Sequence, residues 1–179
     1  MNLFNILYDL EVNEDLHISR LLILLKSFSG RSLKPFRGIT KLVKLDFLLR
    51  YPLYLEKAIN SLELNGDSIN ILDHEKNSVE SRMIRFKYGP WDPRYREFLN
   101  IMAAKNLINV YLSKKTIIIK LTPEGMKIAT ELSTIDNFED ILNRSKILKK
   151  HFDIGATRLK DFIYKTFPEI IEMSYGEVI

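Results

Sequence analysis

The side chains of this chain that could do chemistry are few, and most of them are cations. Three histidines, His17, His74 and His151, stand far apart, and none has a second histidine at the helical spacing a metal site needs. The one cluster of possible ligands, Asp73-His74-Glu75, occupies consecutive loop positions, and neighbours in a loop rarely converge on one ion. The seven glycines are scattered, so there is no phosphate-cradling Gly-x-x-x-x-Gly-Lys loop and no Gly-x-Ser-x-Gly elbow. An acidic residue, one spacer and a lysine, the triplet of restriction-type nucleases, occurs nowhere. Cysteine is absent, which removes disulfides, thiolate zinc sites and cysteine nucleophiles. The expectation is a protein that is not an enzyme and takes no metal or cofactor.

The cations are unevenly spread. A net charge of +4 conceals two basic blocks: residues 82–120 hold nine Lys or Arg against Asp92 and Glu97, and residues 26–50 hold seven against Asp46. Such segregation suits a polyanion such as a nucleic-acid backbone, though lysines that only solvate helix faces give the same pattern. Arg94, Arg96 and Lys105 fall on one candidate helix together with Asn100. Lys114 and Lys115 fall in the turn of a candidate hairpin, and Lys120 on its returning strand. Lys41 and Lys44 share a face of another helix and could extend the basic surface. These eight are the expected DNA-binding residues. Little in the chain suits base-edge reading, and glutamine is absent, so contacts to the backbone of double-stranded DNA are expected rather than a specific operator.

Helix, β-ribbon and helix, in that order, must position these cations. Residues 83–88 read as a strand, Gly89-Pro90-Trp91 as a turn, and Asp92 and Pro93 as an N-cap and first helical residue. Tyr88 and Trp91 read as core plugs beside that turn. Tyr95, Phe98, Leu99, Met102 and Ala103 then recur at helical spacing. Residues 109–112 and 116–121 are β-rich and joined through Ser113-Lys114-Lys115, and Thr122 and Pro123 cap a helix over residues 123–132. That order is the half of a winged helix that faces a partner.

Upstream, residues 15–28 form an apolar helix stopped near Ser29-Gly30, and residues 31–38 an exposed loop. A second helix over residues 40–50 lets Asp46 and Arg50 pair across one turn, and Pro52 opens a third that runs to about residue 64. Residues 65–77 are polar and read as a loop; residues 138–152 and 157–167 are two further helices. The expected fold is therefore mainly α with a small β-hairpin (α+β), a winged helix with extra C-terminal helices. Residues 1–134 would be the winged-helix domain with its N-terminal helices, and residues 135–179 a C-terminal helical extension. The large apolar residues after Leu132 either fold back as a lid or hold a partner, which could be a second copy in a homodimer. The longest apolar run, residues 21–25, is far short of a membrane span, and the N-terminus lacks signal-peptide features. A soluble cytoplasmic protein is expected.

Three runs carry a family resemblance: ITKLVKLDFLLRYP (residues 39–52), RFKYGPWDPRYREFLNIMAAKNLI (residues 85–108) and LTPEG (residues 121–125). Together they resemble the winged-helix middle components of ABC-three-component systems, over about residues 15–132. The Lys-Leu-Asp-Phe-Leu-Leu-Arg-Tyr-Pro block is the distinctive part. The Tyr-Gly-Pro turn and the Leu-Thr-Pro-Glu-Gly cap recur in other winged helices, including antitoxins and transcription regulators. In these bacterial operons a small middle protein is encoded with an SMC/Rad50-like ATPase and an effector enzyme. The chain is similar to the LmuC-type small subunits of Lamassu anti-phage defence. The resemblance implies a non-enzymatic subunit that helps such an ATPase sense DNA and holds an effector nuclease inactive. The alternative is a stand-alone winged-helix DNA-binding transcription regulator or antitoxin.

Overall fold

Asn13 opens the first helix: its side-chain oxygen accepts from the backbone N–H groups of Asp15 at 3.1 Å and Leu16 at 3.3 Å. The helix, α1 (Glu14–Ser29), closes at Gly30, whose φ of 60° favours glycine and whose N–H reaches the Lys26 carbonyl. Leu21, Leu22, Ile23, Leu24 and Leu25 are all buried, so the helix is covered all round rather than along one stripe. This computed structural model describes residues 13–62, 69, 71, 94–168 and 170.

After α1 come β1 (Phe36–Arg37), α2 (Ile39–Arg50) and α3 (Pro52–Asn60), the last with Pro52 at a position where its missing N–H costs nothing. Next are α4 (Tyr95–Ala104), β2 (Ile108–Ser113), β3 (Thr116–Leu121) and α5 (Pro123–Leu132). A short 3-10 turn (Asp136–Phe138), α6 (Glu139–Phe152) and α7 (Ala156–Thr166) complete the described chain. It is mainly helical, with one small antiparallel sheet of order β1-β3-β2.

The chain divides into two compact units, each discontinuous in sequence. The first takes residues 1–37 and 94–145, the second residues 38–93 and 146–179. This partition cuts across the linear boundary expected at residue 134.

In the first unit α1 packs on α5 and also meets α4, β1 and β3. The hairpin pairs Ile108 with Leu121 through Ser113 with Thr116, and β1 adds to β3 through Phe36 opposite Ile119. β1 lies in the segment expected to be an exposed loop. Phe36 is 4% exposed and its ring packs edge-on to Phe28, so tertiary burial overrides a proline- and glycine-flanked sequence.

In the second unit α2 packs on α3 and α7, and α3 on α7. Phe47, Tyr51, Tyr54 and Phe167 form a ring cluster with centroids 5.1–6.2 Å apart. Phe152, Leu159, Ile163 and Phe167 are all buried within this chain, with α7 against α2 and α3 rather than against the first helix. Asp46 is fully buried too. The expected strand 83–88, the turn with Tyr88 and Trp91, the Asp92-Pro93 cap and Asp73-His74-Glu75 lie outside the described residues.

Candidate nucleic-acid interface

The end of α4, the hairpin and the start of α5 are joined through two consecutive carbonyls, those of Asn106 and Leu107. α4 ends in a Schellman turn in which Asn106, at φ 56°, donates to the Ala103 carbonyl at 2.9 Å and Leu107 to the Met102 carbonyl at 2.8 Å. The Leu107 carbonyl then accepts from the Thr122 N–H at 3.1 Å, while the Thr122 hydroxyl, with one proton to give, donates to the neighbouring Asn106 carbonyl at 2.7 Å and lies 3.1 Å from the Leu107 oxygen. The same hydroxyl accepts from the Gly125 N–H at 2.9 Å, capping α5. Gly125 is required because a Cβ there would lie 1.9 Å from the Leu107 oxygen. The Thr-Pro-Glu-Gly run thus caps α5 and locks the start of β2 against it.

Buried Tyr95, Phe98, Leu99 and Met102 anchor α4, as its spacing predicts. Ala103 is exposed and leaves the expected core face. Phe98 also stacks on His17, with ring centroids 5.1 Å apart, and the Arg20 guanidinium donates to His17 Nδ1 at 2.9 Å. His17 is a core histidine at 3% exposure.

Six of the eight predicted cations fall in the first unit. Arg96 is exposed on α4, Lys105 at its C-cap, Lys114 and Lys115 at the hairpin tip, and Lys120 on β3. None of these five makes an ion pair with a described residue. Arg94 is half-buried, its guanidinium 5.9 Å from the Phe98 ring centre, so part of its surface is spent on packing. Lys114 sits at φ 55°, the left-handed backbone that a two-residue hairpin turn demands and a lysine adopts at a cost.

The other two, Lys41 and Lys44, belong to the second unit and do not extend a basic surface. Lys41 is 12% exposed and donates to Asp153 at 2.6 Å, and Lys149 donates to the other oxygen of the same carboxylate. Burial works to raise the Asp153 carboxyl, but the hydrogen bonds and charges of Lys149 and Lys41 outweigh it and hold it below the ordinary value. Lys44 is 4% exposed, with its ammonium 5.6 Å from the Tyr164 ring centre. Burial and then the Lys160 charge hold its amine below the ordinary value. Sequence spacing correctly puts both lysines on α2, but it carries no information on what covers that helix.

Among the described residues no group of three or more His, Asp or Glu side chains could hold a metal ion. A cleft of about 590 Å³ in the first unit is lined by Lys26, Arg31, Leu33, Pro123, Met126 and Thr130. No helix among the described residues is long and apolar enough to cross a membrane. What the first unit offers is five exposed cations on α4, just after it and on the hairpin.

The family described as ABC-three component (ABC-3C) system Middle Component 4 matches residues 34–161. Comparison with curated proteins and with solved structures gives no significant match.

Proposed function

This chain belongs to the middle components of ABC-three-component systems, and from that premise we propose that it is a non-catalytic subunit that engages the backbone of double-stranded DNA. Its place would be beside an SMC/Rad50-like ATPase, where it helps sense DNA and restrains an effector nuclease in a Lamassu-type anti-phage system. Membership of the family makes other components of the system its partners. The first unit supports a winged-helix reading: the sheet order β1-β3-β2, α4 before the hairpin and α5 after it are the arrangement of that fold.

The observation that carries the DNA reading is the set Arg96, Lys105, Lys114, Lys115 and Lys120, all exposed and none ion-paired with a described residue. Cations without carboxylate partners are available to neutralise phosphates, and release of the counterions condensed on the duplex drives that binding. If all five reach phosphates, the logarithm of affinity falls with the logarithm of salt at a slope of about −4 to −5. The test is fluorescence anisotropy of unrelated duplexes against the purified chain between low and physiological salt. Equal affinities for the unrelated duplexes and a steep slope are expected. Replacing Lys114 and Lys115 with Glu should flatten the slope by about 2. Salt-insensitive or undetectable binding, by the chain alone and with its ATPase, would overturn the reading.

A further inference from the structure

We infer that the open edge of β2 is a docking edge for an extended segment of another component of the system, a segment that adds as a strand and carries carboxylates at its ends. This goes beyond DNA binding and does not depend on it; both ligands draw on Lys105, Lys114, Lys115 and Lys120, so the docked segment and a duplex compete for this face. Three consecutive residues of β2 are exposed apolar ones: Val110 at 41%, Tyr111 at 48% and Leu112 at 71%. Among the described residues β2 pairs on one side only, with β3.

The backbone of that edge is also unspent. Ser113 and Thr116 flank the two-residue turn, so they form a hydrogen-bonded pair, and pairs alternate along the ladder. Tyr111 and Asn109 are then bonded to β3, whereas Val110 and Leu112 direct their N–H and C=O groups outward. Soluble proteins usually blunt such an edge with a charge, a proline or a bulge. The strand Ile108–Ser113 has neither charge nor proline, and its register with β3 is uninterrupted.

Charge selects the occupant. Lys105 precedes the strand, Lys114 and Lys115 follow it, and Lys120 stands across from Asn109. A second copy adding antiparallel would bring Lys105 of one chain toward Lys114 and Lys115 of the other at both ends, which is repulsive. A duplex would satisfy the lysines while leaving Val110 and Leu112 against a polyanion, with no gain from their apolar surface. An apolar strand with acidic ends satisfies the backbone, the side chains and the lysines together.

Residue-resolved hydrogen–deuterium exchange tests this on the full chain, alone and assembled with the other components of the system. The amides of Val110 and Leu112 should slow at least tenfold in the assembly. Leu112→Pro removes an outward donor without touching the β3 pairing or the charge, and should weaken assembly at least tenfold while leaving duplex binding unchanged. Should Leu112→Pro melt the hairpin, Leu112→Ser, at a site 71% exposed, removes the apolar contact and should still weaken assembly several-fold. Unchanged exchange together with wild-type assembly by the folded variant would overturn the inference. So would protection in the isolated chain that grows with its concentration, which means a second copy. Protection by a duplex without the other components would overturn it as well. Loss of duplex binding with the edge effects intact refutes only the DNA reading.

Discussion

Replacing Gly125 with alanine tests the contact that fixes the hairpin to α5. The added Cβ would lie 1.9 Å from the Leu107 oxygen and 2.8 Å from its carbonyl carbon, where ordinary contact begins near 3.4 Å. The two segments would have to part by about 1.5 Å. The Thr122 N–H bond to that oxygen, 3.1 Å long, breaks at such a separation. The lost bond costs about 1 kcal/mol and the overpacking about 1–3 kcal/mol. The better helix preference of alanine returns up to about 1 kcal/mol. The net expectation is a loss of about 1–3 kcal/mol, a melting-temperature fall of roughly 2–12 °C for a chain of this size. Denaturant titration followed by circular dichroism measures it, with Gly155→Ala as the control. Gly155 has nothing within 4 Å of an added Cβ and should change stability by no more than about 0.5 kcal/mol. Gly125→Ala within about 0.5 kcal/mol of wild type, at an unchanged denaturant slope, would refute the reasoning, because the Leu107 carbonyl would then have room to move freely.

Lys44→Met should stabilise the chain by about 1 kcal/mol, since it keeps the aliphatic stem and removes a buried charge. The native state binds fewer protons at Lys44 than the unfolded chain does, so this penalty shrinks as pH rises through the lowered folded value toward 10.5. Wild type should therefore approach the variant on the alkaline limb of a stability profile, and a constant gap would contradict the assignment. Asp153→Asn should cost at most about 1 kcal/mol near neutral pH, because the ion pairs are partly exposed. A lowered carboxyl contributes above its ordinary value of 3.8 and loses that contribution as pH falls through its folded value, so the two proteins should converge in acid. Lys114→Gly should raise stability by about 1 kcal/mol through relief of the φ 55° backbone, read as a shift in the denaturant midpoint.

The sequence by itself determined the elements whose signals are local. Pro52 at a first helical position, Gly30 after α1, and Thr122 and Gly125 around Pro123 act through the backbone within one turn, so their types announce the boundaries directly. The buried stripe of α4, the hairpin and the helical C-terminal segments were legible for the same reason, as periodicities confined to one element. Only the tertiary structure decided which surfaces survive. Lys41 and Lys44 share a helix with ordinary basic spacing, yet Asp153 and Tyr164, more than a hundred residues on, claim one as an ion pair and cover the other. β1 exists because β3 offers an edge beside Phe36, and two residues carry too little pattern to reveal it. Val110, Tyr111 and Leu112 read as a strand, but a strand at the edge of a sheet has a partner on one side only, and strand order is a property of the whole first unit.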